Sequence, residues 1–207
     1  MKVYLCKTDG FCERDGLDLI VSYRKEKINK AVNKHDKLRL IVSSLLLRYA
    51  FGDRANEIVV DRNGKPLLID GPCFSISHSG NCVILAVSNS LVGADIQLHR
   101  KVDFTVADRF LHSDEKSLLC CNDGEKQEKT FYRLWTGKES ISKAIGIGLN
   151  KTAKSYSLAP CNDGIYKIGE TLYLLRWFED ENYTLCIAQH GVEPIEFIQT
   201  YAEDLVK

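Results

Sequence analysis

Residues 134–149 read LWTGKESISKAIGIGL, and their reading decides how the rest of the chain is organised. The stretch closes a helical pattern over residues 125 to 145. It carries a carboxylate at Glu139, a cation four residues later at Lys143, and two glycines at the end, Gly146 and Gly148. Four residues cover about one helical turn, so Glu139 and Lys143 share a face. Taken alone this is an ordinary surface pair followed by an ordinary helix stop. Its meaning depends on what surrounds it.

Upstream, residues 102 to 122 give a second helical pattern through Val102, Val106, Phe110, Leu118 and Leu119. Downstream, SYSLAP, YKIGE, TLYLLRWFE and YTLCIAQHG read as strands separated by Asn, Asp and Gly turns. Nearer the start, VYLCK predicts a strand, and from Lys34 the series Leu38, Ile41, Val42, Leu45, Leu46, Tyr49 predicts an amphipathic helix. Asp53 to Asn56 interrupt that helix. EIVVDRNGKPLLID then predicts two short strands about Asn63-Gly64, and FSISHSGNCVILAVSNSLVGADIQL predicts three strands with tight turns. The chain thus runs twice through one plan, a helix rich in apolar residues followed by a short antiparallel sheet. That predicts an α+β fold of two similar lobes, 1–98 and 99–207, in pseudo-twofold arrangement. A ligand cleft is expected where they meet, because pockets favour such junctions.

With 44% hydrophobic residues among 207, the chain can bury a sizeable core. The formal net charge is zero, which argues against steering toward nucleic acid or a membrane surface. Charge is nevertheless uneven. Eight Lys or Arg residues fall between Arg24 and Arg48, whereas residues 178–207 hold seven acids and one base. The basic run reads either as a solvated helix face or as an anion site. Eight cysteines without a CxxC pair or zinc-ligand spacing, no basic-then-apolar leader and no run of about 18 apolar residues predict a reduced cytoplasmic protein.

Three segments place polar chemistry at structural edges. In ISHSG, 76–80, Ser77, His78 and Ser79 end a strand at a turn that Gly80 frees, a setting that can hold phosphate oxygens. In GADIQ, 93–97, Asp95 points away from Val92, Ala94 and Ile96, and a carboxylate there needs a partner or a metal. The third is the helix carrying Glu139 and Lys143. Two carboxylates, a phosphate-holding turn and a lysine suit a magnesium-bound pyrophosphate, since Mg²⁺ uses one or two carboxylates plus substrate phosphates.

The order of RKEKINKAVNKHDKLR, GKP, FSISHSG, GADI and LWTGKESISKAIGIGL resembles the 4′-phosphopantetheinyl transferases, in particular the longer single-chain, pseudo-dimeric class of the surfactin synthetase activator type. GxDI and WxxKESxxKxxGxGL carry most of the likeness, about 40 residues apart. The resemblance covers residues 22 to 150. It implies transfer of the phosphopantetheine arm of coenzyme A to a serine of an apo acyl or peptidyl carrier protein, with release of 3′,5′-ADP. It further implies Mg²⁺, or Mn²⁺ in its place, on Asp95 and Glu139, with Glu139 as base for the serine and Lys143 at the leaving phosphate. Arg24, Lys27, Arg39, Lys65, Ser77, His78 and Lys143 correspond to coenzyme A contacts, and one chain supplying both lobes implies a monomer.

One position departs from the best-known members. Where many carry DIE, this chain has Gln97, which predicts a two-carboxylate site with weaker magnesium binding. The segment HRKVDFTVADRFLHSDE, with Arg100, Lys101, Arg109, Phe104 and Phe110, is the expected docking surface for an acidic carrier helix. A coenzyme A or carrier-binding relative without turnover is the alternative, supported by Gln97 and opposed by the intact Asp95, Glu139 and Lys143. A nucleic-acid module on residues 24 to 48 lacks the aromatic residues such a surface needs.

Overall fold

A computed structural model describes residues 1–149 and 153–206. In chain order its elements are β1 (Lys2–Lys7), α1 (Lys25–Lys30), α2 (Lys34–Phe51), β2 (Val59–Val60), β3 (Pro66–Leu67), β4 (Cys73–Ser79), β5 (Cys82–Ser88), β6 (Val92–Leu98), α3 (Ser113–Cys120), α4 (Gly124–Ile145), β7 (Gly164–Ile168), β8 (Thr171–Glu179), β9 (Tyr183–His190), β10 (Glu196–Thr200) and α5 (Ala202–Leu205). They form two compact units, Met1–Asn89 with Pro194–Lys207, and Ser90–Glu193.

The first unit is a sheet in the order β10-β1-β5-β4, with β2 and β3 as a separate hairpin. Helix α2 begins at Asn33, whose side chain accepts from the amides of His35 and Asp36, and ends at Gly52 with φ 58°. Such a cap satisfies amides that have no partner inside the helix. Its buried stripe, Ile41, Val42, Leu45 and Leu46, packs with Tyr4, Phe74, Val83 and Leu85 of the sheet. The second unit is an antiparallel sheet in the order β6-β9-β8-β7, with α4 lying on β6 and β9. Its core joins Leu134, Ile141 and Ala144 of α4 to Tyr173, Leu175, Trp177 and Cys186. Each unit therefore has the expected plan of one sheet and one long helix.

Several expectations need correction. The division does not fall between residues 98 and 99: β6 pairs with β9 through Asp95↔Cys186, not with the strands before it. Strand β5 already has β1 and β4 on its two sides, so the first sheet offers β6 no edge there. The last residues return to the first unit, where β10 pairs parallel to β1, so that sheet is not purely antiparallel. This also places Glu196, Glu203 and Asp204 with the basic segment 24–48, while Glu179, Asp180, Glu181 and Glu193 belong to the second unit.

SYSLAP is not a strand. Its backbone groups serve a buried ion pair instead of a ladder: the carbonyl of Tyr156 accepts from Lys138 and the amide of Leu158 donates to Glu115. The pattern over 102–122 splits into a 3₁₀ segment, Phe104–Arg109, and α3. Asp103 caps the first and His112 the second, the latter in a reciprocal capping box with Glu115.

Candidate active site

Strand β6 and helix α4 meet at Gly93. A Cβ on that residue would lie 1.9 Å from the backbone oxygen of Ser140 and 2.6 Å from the nitrogen of Ala144, so only glycine admits the helix this close. Side chains alternate along a strand, so Asp95 and Gln97 project on the same side as this contact, toward α4. Ser140 then fastens the helix to the neighbouring strand, its Oγ donating to the carbonyl of Cys186 at 2.8 Å, and Cys186 is the residue opposite Asp95.

The result is a short row of charge. Asp95 is 2% exposed. Its Oδ1 accepts from Lys143 Nζ at 2.6 Å and its Oδ2 from Gln97 Nε2 at 2.9 Å. Lys143 Nζ also donates to the carbonyl of Ala94 at 3.2 Å. Glu139, half-buried one turn before Lys143, has its carboxyl pushed above the usual carboxylate range, chiefly by burial and next by the charge of Asp95, with Lys143 opposing. Helix α4 leaves this row at Gly146, which takes φ 82° and returns its amide to the carbonyl of Ser142 at 2.8 Å.

Asp95 and Glu139, the second with its proton affinity raised by the charge of the first, form a donor set that a divalent cation fits, since its charge would relieve that repulsion. Among the described residues no group of three or more His, Cys, Asp or Glu converges on one point. Asp95 and Glu139 could supply such a set, with Gln97 contributing an amide that holds Asp95.

On the other side of Glu139 in sequence, Lys138 is fully buried. Its Nζ lies 2.9 Å from Glu115 Oε1, donates to the carbonyls of Ala153 and Tyr156 at 2.5 and 2.6 Å, and sits 4.1 Å from the centre of the Tyr156 ring. Glu115 accepts in addition from the amides of Leu158 at 2.6 Å and His112 at 2.8 Å. Burial pushes the Lys138 ammonium below its usual range and Glu115 opposes that shift. The network ties α3, α4 and segment 153–158 together around Glu139's neighbour.

In the first unit the expected anion-binding residues have their own geometry. Strand β4 ends at Ser79, and Gly80, with φ 58°, turns the chain into β5. Ser77 is buried and His78 half-buried near this turn. Arg39, on α2, reaches the same turn: Nη1 donates to the carbonyl of Gly80 at 2.8 Å, Nη2 pairs with Asp36, and its buried Nε finds no partner among the described residues. Lys65 stands at the β2–β3 hairpin, where burial lowers its affinity for a proton and the charges of Cys73 and Asp61 oppose the shift. Lys27 is exposed, whereas Arg24 is 7% exposed and donates through Nε to the hydroxyl of Tyr23 at 3.0 Å.

Residues 91–190 match the family model described as the 4′-phosphopantetheinyl transferase superfamily. The chain is 34% identical to the 4′-phosphopantetheinyl transferase gsp of Aneurinibacillus migulanus, over 88% of this chain and 82% of that protein. It is 28% identical to the 4′-phosphopantetheinyl transferase Sfp of Bacillus subtilis over the whole of both chains, and 30% identical to another 4′-phosphopantetheinyl transferase of B. subtilis over 97% of each. The chain belongs to the 4′-phosphopantetheinyl transferase superfamily. The matched region of this family member nearly coincides with its second unit, the one that holds Asp95, Glu139 and Lys143.

Sequence reasoning singled out Asp95, Glu139 and Lys143, and the structure brings these three together. It took Gly93, Lys138 and Ser140 only as motif positions, without the strand-to-helix contact of Gly93 and Ser140 or the pairing of Lys138 with Glu115. A small residue in mid-strand before an acid is the signal that Gly93 carried. Phe110 departs from expectation, being 1% exposed and packed edge-on against Trp135 at 4.7 Å, so it belongs to the core and offers no docking surface. Phe104 is half-buried against Phe131, while Arg100, Lys101 and Arg109 are exposed. Beside them a cavity of about 220 Å³ opens between Gln97, Val102, Val106, Phe131, Tyr132 and Trp135.

Proposed function

We propose that the chain transfers the 4′-phosphopantetheine arm of coenzyme A to a serine hydroxyl of an apo acyl or peptidyl carrier protein and releases 3′,5′-ADP. The observation that carries this reading is the placement of Glu139, with raised proton affinity, and Lys143 one turn apart on α4 beside the buried Asp95. In the transfer a serine Oγ–phosphorus bond forms at the pantetheine-bearing phosphate and the bond from that phosphorus to the ADP oxygen breaks. Glu139 takes the serine proton, and a carboxylate whose proton affinity is raised is the better base. Lys143 neutralises the departing phosphate. Asp95 and Glu139 would hold Mg²⁺ or Mn²⁺, which when bound supplies charge for the pyrophosphate. Arg24, Lys27, Arg39, Lys65, Ser77 and His78 serve the phosphates and adenosine of coenzyme A, with the turn at Gly80 and Arg39 already joined to each other.

Carrier docking falls to the exposed Arg100, Lys101 and Arg109 with the apolar cavity between Val102 and Trp135. Basic and apolar groups together suit an acidic amphipathic helix, and binding is expected to weaken with salt. The reading includes a monomer acting in the cytoplasm, with neither nucleic acid nor membrane as partner; no helix among the described residues is long and apolar enough to cross a membrane. Intact-mass measurement of apo carrier proteins incubated with the protein, coenzyme A and Mg²⁺ tests it. A gain of one phosphopantetheine, lost with chelator, is the expected result. No gain on acyl or peptidyl carriers, with coenzyme A still bound, would replace the reading by binding without turnover.

A further inference from the structure

We propose that Lys143 is a built-in stand-in for the divalent cation, so that cation entry and release of Lys143 from Asp95 are a single exchange. The inference rests on the reading of Asp95 and Glu139 as the cation's carboxylates. Asp95 is almost wholly enclosed, and both of its oxygens are engaged by the chain's own donors, Oδ1 by Lys143 at 2.6 Å and Oδ2 by Gln97 at 2.9 Å. A cation approaching either oxygen of Asp95 comes up beside one of these donors. Gln97 is neutral, and its amide can stay. Lys143 is not neutral, and an ammonium and a divalent ion on one carboxylate oxygen repel at contact distance, where the interaction is strongest.

The lysine is also the donor able to leave. Its side chain is 29% exposed on a flexible four-carbon stem, whereas Lys138, five residues earlier, has no exposed surface and three oxygen partners. The exchange keeps positive charge beside Asp95 and Glu139 at every stage, first the ammonium and then the doubly charged cation, which explains how two carboxylates can be kept together before the cation arrives. It also delivers the freed ammonium at the moment a phosphate is being bound. Cation affinity in the absence of coenzyme A is therefore held down by Lys143 itself.

Mn²⁺ binding to the full-length protein without coenzyme A, read by loss of the free-ion electron paramagnetic resonance signal, tests this. Lys143→Met is expected to bind Mn²⁺ at least tenfold more tightly than the wild type, and Lys143→Gln likewise, provided circular dichroism shows both folded. Lys143→Arg, still able to pair with Asp95, is expected to stay within about threefold. The gain is expected to persist in 1 M KCl, where screening acts beyond about 3 Å and removes general field effects but not competition for one oxygen. Unchanged affinity in both neutral variants, or a gain that vanishes in salt, would overturn the exchange. Asp95→Asn separates the two readings. If it leaves Mn²⁺ binding intact, the carboxylate assignment itself falls; if it abolishes binding while Lys143→Met changes nothing, only the exchange falls.

Discussion

Among the lysines of helix α4, Lys138 and Lys143 stand five residues apart, each in an ion pair with a residue outside the helix, and the two pairs are unlike in almost every respect. Lys138 and Glu115 are both wholly buried, and the acceptors around Lys138 and donors around Glu115 are matched: backbone carbonyls of Ala153 and Tyr156 for one, backbone amides of His112 and Leu158 for the other. Lys143 and Asp95 share one buried end and one end open to solvent, beside a second carboxylate whose proton affinity is raised. A buried pair of the first kind contributes little net stability, because desolvation offsets attraction, but it is costly to break from one side. The second kind is poised to exchange partners. One helix thus holds a fixed charge and a movable one, and the motif KES-x-x-K interleaves them.

The largest expected effect breaks the movable side. Asp95→Ala and Glu139→Gln are each expected to lower kcat/KM for carrier modification by at least about a thousandfold with the circular dichroism spectrum unchanged. That loss, about 4 kcal/mol of transition-state stabilisation, matches removal of a proton acceptor or of charge at the reacting phosphate. Near-normal turnover in either purified variant would remove the site assignment.

Next comes the fixed side. Glu115→Ala leaves the Lys138 charge buried without its partner and is expected to destabilise the protein by about 3–5 kcal/mol. The double change Glu115→Leu with Lys138→Met is expected to recover most of that in denaturant unfolding. If the single variant unfolds like the wild type, the buried pair is not the constraint described. Gly93→Ala tests the junction between the two sides. Its methyl meets backbone atoms that cannot move aside separately, so destabilisation of about 3 kcal/mol and reduced activity are expected together, at the upper end of the typical range for overpacked cores.

A smaller effect sharpens the comparison through pH. The Glu139 carboxyl is raised by burial and by Asp95, so the stability it contributes is present below the unfolded carboxylate value near 4.3 and is lost as pH rises through the higher folded value. Glu139→Gln removes that loss. Its Tm is expected to exceed the wild type's by about 2–4 °C at pH 7 and to match it at pH 4. A variant that is inactive yet more stable at neutral pH would mark Glu139 as held for chemistry. Smallest is Gln97→Glu, which places a third carboxylate beside Asp95 and is expected to lower the magnesium concentration required for half-maximal activity severalfold; an unchanged titration would contradict the role given to Gln97.

Much of this architecture is legible in the sequence. Periodicity locates α2 and α4 and the strands of ISHSG and GADIQ, because apolar spacing reports which face of an element is buried. The sharing of a face by Glu139 and Lys143 follows from helix geometry alone. The misreadings share a cause. SYSLAP has strand-like alternation, but the carbonyl of Tyr156 and the amide of Leu158 are claimed by Lys138 and Glu115, residues 18 and 43 positions away. Strand β6 follows β5 closely in sequence but pairs with β9, because β5 had no free side.

By itself the sequence determined the element types, the shared face of α4, the oddity of an acid in an apolar strand, and the family, since all of these are written in local spacing and residue identity. Tertiary structure alone decided that Gly93 lets α4 approach β6, that Lys143 reaches Asp95, that Lys138 is buried against Glu115, and that the tail closes the first sheet. These are meetings of surfaces distant along the chain, and local periodicity records which face is buried without recording what it is buried against.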